Sequence, residues 1–141
     1  MARELTLAMT PEELAAFFRE AFPGDPGRNF SFVRYEPGLL TIRLDPDESM
    51  LRPGRLVSGL TQMALADRAA YAVILAHLGP VAMAVTSNLN MSFLRGVRME
   101  PLFADATLLK LGRKLATVDV RLWQENERGI VAQSTVIYAI P

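Results

Sequence analysis

Hydrophobic and polar positions follow different rhythms along this chain, on either side of a stretch with almost no rhythm. From Leu56 to Leu78 nearly every position is apolar, and the only charges are Asp67 and Arg68. Ala, Leu and Met are strong helix formers, so the stretch predicts one long helix over about residues 57–78. A helix that is apolar nearly all round is either buried or membrane-spanning. The length would suffice to cross a bilayer, but Ser58, Gln62, Asp67, Arg68 and His77 interrupt it. A helix wrapped by the rest of its own domain is the better account. An acid in such a helix costs free energy unless it is paired or useful.

Upstream, Thr10-Pro11-Glu12-Glu13 signals a helix start: Thr10 can cap, Pro11 fits the first turn, and Glu13 sits where a capping box needs it. Leu14, Phe17, Phe18 and Ala21 form an apolar stripe that Pro23-Gly24 ends, which predicts a helix over about residues 10–22 on the outside of the core. Residues 25–29 are turn-rich. Two short strands follow, Phe30–Tyr35 and Leu39–Leu44, joined at Glu36-Pro37-Gly38. An acidic loop, Asp45-Pro46-Asp47-Glu48, leads to the central helix, and Gly79-Pro80 ends that helix.

Downstream the rhythm is period two. In Ala82–Phe93, Met83, Val85, Leu89, Met91 and Phe93 share one face, and Thr86, Asn88, Asn90 and Ser92 the other. Leu102–Lys110 and Leu115–Gln124 read as a strand pair turning at Gly112-Arg113-Lys114, with Ala116, Val118, Val120 and Leu122 facing inward. Asn126–Gly129 makes the last turn before a final strand, Ile130–Ile140. Strands, one buried helix, then a run of antiparallel strands is an α+β pattern, met most simply by a curved sheet wrapped around the helix.

Composition narrows the field. A chain of 141 residues, half of them hydrophobic, suits one domain over 1–141 with a real core. Its net charge of zero argues against nucleic acid as a partner. With no cysteine there is neither a disulfide framework nor a thiolate site. The amino end, MARELTLAMT, lacks the apolar core of a signal peptide, so a cytoplasmic domain with no membrane partner is expected.

Several pieces then stand in a telling order. A turn precedes Ser58-Gly59-Leu60 at the opening of the long helix, and Asp67 stands eight residues after Gly59. Val85-Thr86-Ser87-Asn88-Leu89-Asn90 is followed by Phe93-Leu94-Arg95, then by Leu111-Gly112-Arg113-Lys114, then by the strand from Ile130-Val131-Ala132 to Tyr138. Over roughly residues 30–140 the chain resembles the hotdog-fold acyl-CoA thioesterases of the phenylacetate-pathway type. The resemblance implies a hotdog fold with about six strands around the helix. It implies hydrolysis of an acyl- or aryl-CoA thioester, with no cofactor beyond the coenzyme A of the substrate. It also implies a homodimer formed through the edge strand, with sites at the interface; many members pair further into a homotetramer.

The departures are specific. Family members carry His-Gly-Gly where this chain has Ser58-Gly59-Leu60, often with Asn and Gly where Arg52 and Arg55 stand. They leave a second reading open, a hotdog protein that binds acyl-CoA without hydrolysing it. A hotdog dehydratase is discounted, because the only histidine, His77, stands beside no candidate acid.

Thioester hydrolysis needs an activated water or nucleophile and a donor for the developing oxyanion. Unpaired N–H groups at a helix start supply such a donor, and Gly59, without a side chain, admits a carbonyl closely. Ser58 is placed with the substrate-binding residues; its capping the helix, with Gly59 relieving crowding, is the structural reading of the same residues, and both can hold. Asp67 is the candidate general base or nucleophile; an acid salt-bridged to Arg68 or to a partner chain's arginine is the bland account. An unpaired carboxylate in an apolar helix also suits a base near neutral pH. Thr86 matches the Ser or Thr that orients water in family members, or is a plain strand hydroxyl. Asn88 and Asn90 are assigned to the acyl or pantetheine path. Gln62, roughly on the Asp67 side, would touch the acyl group or satisfy local hydrogen bonds. Arg95, Arg98, Arg113 and Lys114 lie in two loops expected to flank the phosphates of coenzyme A. His77 near the helix end can offset the helix dipole. No metal site is expected.

Overall fold

A computed structural model describes residues 4–24 and 29–141. The turn-rich stretch lies, apart from Asn29, outside the described residues, as do the first three of the amino end. The elements in order are α1 (Pro11–Ala21), β1 (Phe30–Glu36), β2 (Leu39–Leu44), a 3-10 turn (Glu48–Met50), β3 (Leu51–Arg52), β4 (Leu56–Val57), α2 (Gly59–Leu78), β5 (Val85–Phe93), β6 (Leu102–Leu111), β7 (Leu115–Trp123) and β8 (Ile130–Ala139). β3 and β4 make a small ribbon of their own. The remaining six strands form one antiparallel sheet in the order β1-β2-β6-β7-β8-β5, which leaves β5 at an edge.

The sheet wraps α2. Ala104, Ala106, Val118, Val120, Ala132 and Val136 point at the helix and are wholly buried. So are Leu65, Ala66, Ala69, Ala70, Ala72, Val73, Ile74, Leu75 and Ala76 of the helix itself. The alanines let helix and sheet approach closely, and fully burying each larger aliphatic side chain contributes about 1.5–3 kcal/mol. This is the hotdog architecture that the resemblance implies. Among the described residues no helix is long and apolar enough to cross a membrane.

α1 begins with the expected capping box: Glu13 N–H donates to Thr10 Oγ1 (3.1 Å) while Thr10 N–H donates to Glu13 Oε1 (2.9 Å). Its stripe packs on α2, with Phe17 and Phe18 tilted against the Tyr71 ring at 6.3 and 5.8 Å. The segment before α1 is tied to the far end of α2, where Ala76 O accepts from Ala8 and Met9 N–H. Tyr35 closes the tie by donating its hydroxyl to Met9 O (2.9 Å). His77 does not act as a dipole-offsetting cation. Gly38 N–H donates to its Nε2 (2.9 Å), so Nδ1 carries the ring proton and donates to Val73 O (2.7 Å). The only histidine thus fastens the β1–β2 turn to the helix.

β5 differs from its expected form in two ways. It starts at Val85 rather than Ala82, because Val81 to Ala84 form a turn in which Ala84 N–H donates to Val81 O. It also carries a bulge: Thr86 stands opposite Tyr138 and Asn88 opposite Ile137, so Ser87 is one residue too many. The single alternation expected through the strand is therefore broken. Thr86 shares the helix-facing side with Leu89, Met91 and Phe93, which lie opposite Val136, Ser134 and Ala132. Val85, Asn88, Asn90 and Ser92 face outward.

Candidate active site

Both ends of the expected chemistry lie on α2. At its start Ser58 is the N-cap, its Oγ accepting from Thr61 N–H (3.1 Å) and donating to Thr61 Oγ1 (3.0 Å). Gly59 is the first helical residue, so its N–H has no acceptor within the helix. A Cβ there would stand 3.2 Å from Cζ of Phe93, so the missing side chain makes room for that ring. Arg55, where family members often have Gly, takes a left-handed conformation (φ 57°) and bonds Glu48 through both terminal nitrogens (2.9 and 3.3 Å). The turn still needs the backbone that glycine adopts most readily.

Two turns further on, Asp67 is half-buried, and its Oδ1 accepts two hydrogen bonds of 2.7 Å. One comes from Thr86 Oγ1 and the other from Tyr138 OH. The bulge at Ser87 is what brings Thr86 to this side. Among the described residues Asp67 makes no ion pair with Arg68, whose guanidinium lies over the rings of Phe18 (4.5 Å) and Phe30 (4.0 Å). Burial, and after it the Asp67 charge, pushes the Tyr138 phenol well above its ordinary range, against an opposing pull from Thr86. Tyr138 is therefore a firm donor.

Asp67 opens on a cavity of about 430 Å³. One wall is aromatic, with Phe18 of α1, Phe22 just past its end, and Tyr71 and Tyr138 behind, the last two stacked at 5.5 Å. The other wall is small, with Ala64, Ala82, Ala84 and Val85. An apolar pocket with a few convergent polar groups is what an acyl-binding site requires.

The other expected site residues scatter. Gln62 is buried, donates Nε2 to Val57 O (3.3 Å) and lines no part of this cavity. It stands five positions before Asp67, which turns it roughly 140° away around the helix. Asn88 and Asn90 are exposed on the outer face, away from the cavity, because the bulge changes the strand's phase after Thr86. Arg95 and Arg98 lie beyond the far end of β5, and Arg98 is engaged by Glu100 and Glu125. Arg113 and Lys114 are exposed in the β6–β7 turn, next to the Val85 end, since Leu115 and Val85 both pair with Ala139. Within one chain the two basic loops stand about 26 Å apart along β5, at 3.3 Å per residue, and do not meet. Gly59 and Asp67 are likewise about 12 Å apart along the helix at 1.5 Å per residue.

Tyr138, which the sequence places only in the final strand, is not among the expected site residues. The available signal was its phase: it alternates inward with Val136, and a buried tyrosine hydroxyl needs a partner.

The architecture and this carboxylate-lined cavity define a hotdog domain of the kind that handles thioesters. The family model described as the thioesterase superfamily matches residues 56–131, from the helix start into the last strand, and the chain belongs to that family. It is 42% identical to a proposed thioesterase from Silicibacter sp. TM1040, whose crystal structure superposes with a TM-score of 0.89 over 100% of this chain and 98% of that one. A proposed thioesterase from Ralstonia eutropha JMP134, described as phenylacetic acid degradation-related, is 26% identical, with a TM-score of 0.75 over 88% of this chain and 98% of that one. The fold recurs in a Streptococcus mutans UA159 protein bound to acetyl-CoA, at 21% identity and a TM-score of 0.71, over 80% of this chain and 89% of that one. Thioester hydrolysis is the kind of function that goes with this family.

Proposed function

We propose that the protein hydrolyses an acyl- or aryl-CoA thioester to the free acid and coenzyme A, working as a homodimer. The observation that carries the reading is the Asp67 carboxylate, bonded on one oxygen by Thr86 and Tyr138 and exposed to a cavity of acyl-group size. A cytoplasmic site, with no cofactor beyond the substrate's own coenzyme A, completes the proposal.

The separation of the two halves supports the dimer. β5 is an edge, and α2 runs beside it in the opposite sense, with Gly59 by Phe93 and Asp67 by Thr86. A two-fold axis near Leu89, pairing β5 with its copy, would set Asp67 of one chain beside Gly59 of the other. It would also bring Arg113 and Lys114 of one chain near Arg95 of the second copy, where they would flank the phosphates. Exposed Leu60 (78%), Phe93 (50%) and Leu94 (55%) gain a cover in that pairing. Asn88 and Asn90 would then belong to the rim of the pairing rather than to the acyl path. A further pairing of dimers would give a homotetramer.

In the reaction Asp67 takes a proton from water as the water oxygen attacks the thioester carbon. The Gly59 N–H of the second copy donates to the oxyanion. Collapse of the intermediate expels coenzyme A, which recovers the proton from Asp67. Thr86, its hydrogen spent on Asp67, keeps oxygen lone pairs with which to orient the water.

The test is thiol release from short, medium, long and aryl CoA esters, free of background because the protein has no cysteine. Wild type is expected to turn over at least one class. Asp67→Asn should lose about 10²–10⁴-fold in kcat, the range for a general base, with its circular dichroism unchanged. Saturable binding of CoA esters with no release by wild type would overturn hydrolysis and favour the acyl-CoA-binding reading.

A further inference from the structure

We infer that Tyr138 is a positioning residue that fixes the Asp67 carboxylate so that its second oxygen, Oδ2, faces the reacting water. The inference rests on the hydrolytic reading above and assigns a role within it. Three observations converge. Thr86 and Tyr138, from neighbouring strands, both donate at 2.7 Å to the same oxygen, Oδ1. Tyr138 OH also lies 3.3 Å from the backbone oxygen of Asp67, so one phenol fixes both the carboxylate and the helix turn that carries it. The phenol has little freedom, being buried, with its ring stacked on Tyr71, which is itself tied by its hydroxyl to Ala82 O (3.0 Å).

Two donors on one oxygen make the carboxylate asymmetric. A free aspartate presents either oxygen to a substrate and loses orientation each time its side chain flips. With Oδ1 occupied, Oδ2 is the oxygen that neither Thr86 nor Tyr138 engages, and a flip would break two bonds at once. A hydrogen bond to the charged form of an acid favours that form, so the loss of a donor is read as an upward move of the titration in the variant. The other titratable groups lining this cavity are Arg68 and Tyr71 on α2, while α1 contributes only Phe18, with Phe22 just past its end.

The experiment compares wild type with Tyr138→Phe, which keeps the ring and its stacking, and with Thr86→Val, which removes the other donor at an exposed position. For Tyr138→Phe, kcat should fall about tenfold with KM within a factor of two. The acid limb of the kcat/KM profile should move up by about one pH unit, the scale of one lost hydrogen bond. Thr86→Val should move the limb the same way. Carbon-13 titration of the labelled Asp67 carboxyl reads the same coupling without turnover, its signal assigned by its loss in Asp67→Asn. A midpoint that moves upward in Tyr138→Phe supports the role. A midpoint and a profile that coincide with wild type overturn it, leaving the tyrosine as packing. If wild type hydrolyses no ester, the hydrolytic reading fails, and the titration alone decides whether Tyr138 holds the carboxylate.

Discussion

The first turn of α2 and the turn around Asp67 sit in one helix and have opposite surroundings. At the first turn Leu60 and Met63 are 78% and 39% exposed, the Gly59 N–H lacks an intrahelical partner, and only the end of the Phe93 ring crowds the glycine. Around Asp67 two strands and α1 close in, the carboxylate has two donors, and aromatic rings wall the space beside it. One end is bare where the other is furnished. The difference teaches that one helix can have its middle enclosed by the sheet and α1 while its first turn is left uncovered. Such an end costs the single chain exposed apolar surface, which covering by a second copy would recover.

Adding a methyl group at the bare end should break the contrast most sharply. Gly59→Ala places its Cβ 3.2 Å from the Phe93 ring, which can swing aside, so the fold should survive. The methyl would obstruct the approach of a thioester carbonyl, and kcat should fall about 10²-fold, near the lower bound for removing an oxyanion donor. A variant with wild-type kcat would show that no thioester carbonyl has to approach this glycine closely.

At the furnished end, Phe22→Ala removes a ring from the cavity wall that is itself 43% exposed. Competition between small and bulky CoA esters should shift about tenfold towards the bulky one, the discrimination that pocket shape commonly supplies. An unchanged ratio would mean that α1 does not border the acyl group.

The smallest effect concerns the tie that holds the far end of α2. Burial, with help from Glu13 and Glu12, pushes the Tyr35 phenol from 10.0 up to about 12. Because the folded value is the higher one, its stabilising contribution is complete below pH 10 and is lost as pH rises towards 12. Thermal melts across that window should fall for wild type and less steeply for Tyr35→Phe, with the Asp67 end retaining its hydrogen bonds longer.

The fold was legible because its signals are regular. Strand β7 shows why: Ala116, Val118, Val120 and Leu122 alternate without interruption, and all four are wholly buried. α2 was legible from composition alone. Of the candidate site, the structure brings together Asp67 and Thr86, whereas Gly59 stands at the other end of the helix's first two turns. The site was misread where one local event changed the phase. Nothing in Val85-Thr86-Ser87-Asn88 announces a bulge, so Asn88 and Asn90 were assigned to the face of Thr86 and lie on the other. Tyr138 was missed because its role depends on a neighbour 71 residues away, a relation that no local pattern carries. The basic loops were grouped by charge, although one chain holds them at opposite ends of a strand.

The extra residue at Ser87 has an evolutionary corollary. It divides β5 into two separately editable addresses: Thr86, which answers to Asp67, and the outward series Asn88, Asn90 and Ser92, which answers to whatever lies outside the sheet. Substitutions in the outward series can drift without disturbing the carboxylate, and deleting Ser87 itself would leave Thr86 opposite Tyr138 and Asn88 opposite Ile137 in a regular ladder, with both addresses intact. The strand should therefore tolerate the loss of that one residue far better than a deletion or insertion elsewhere along it.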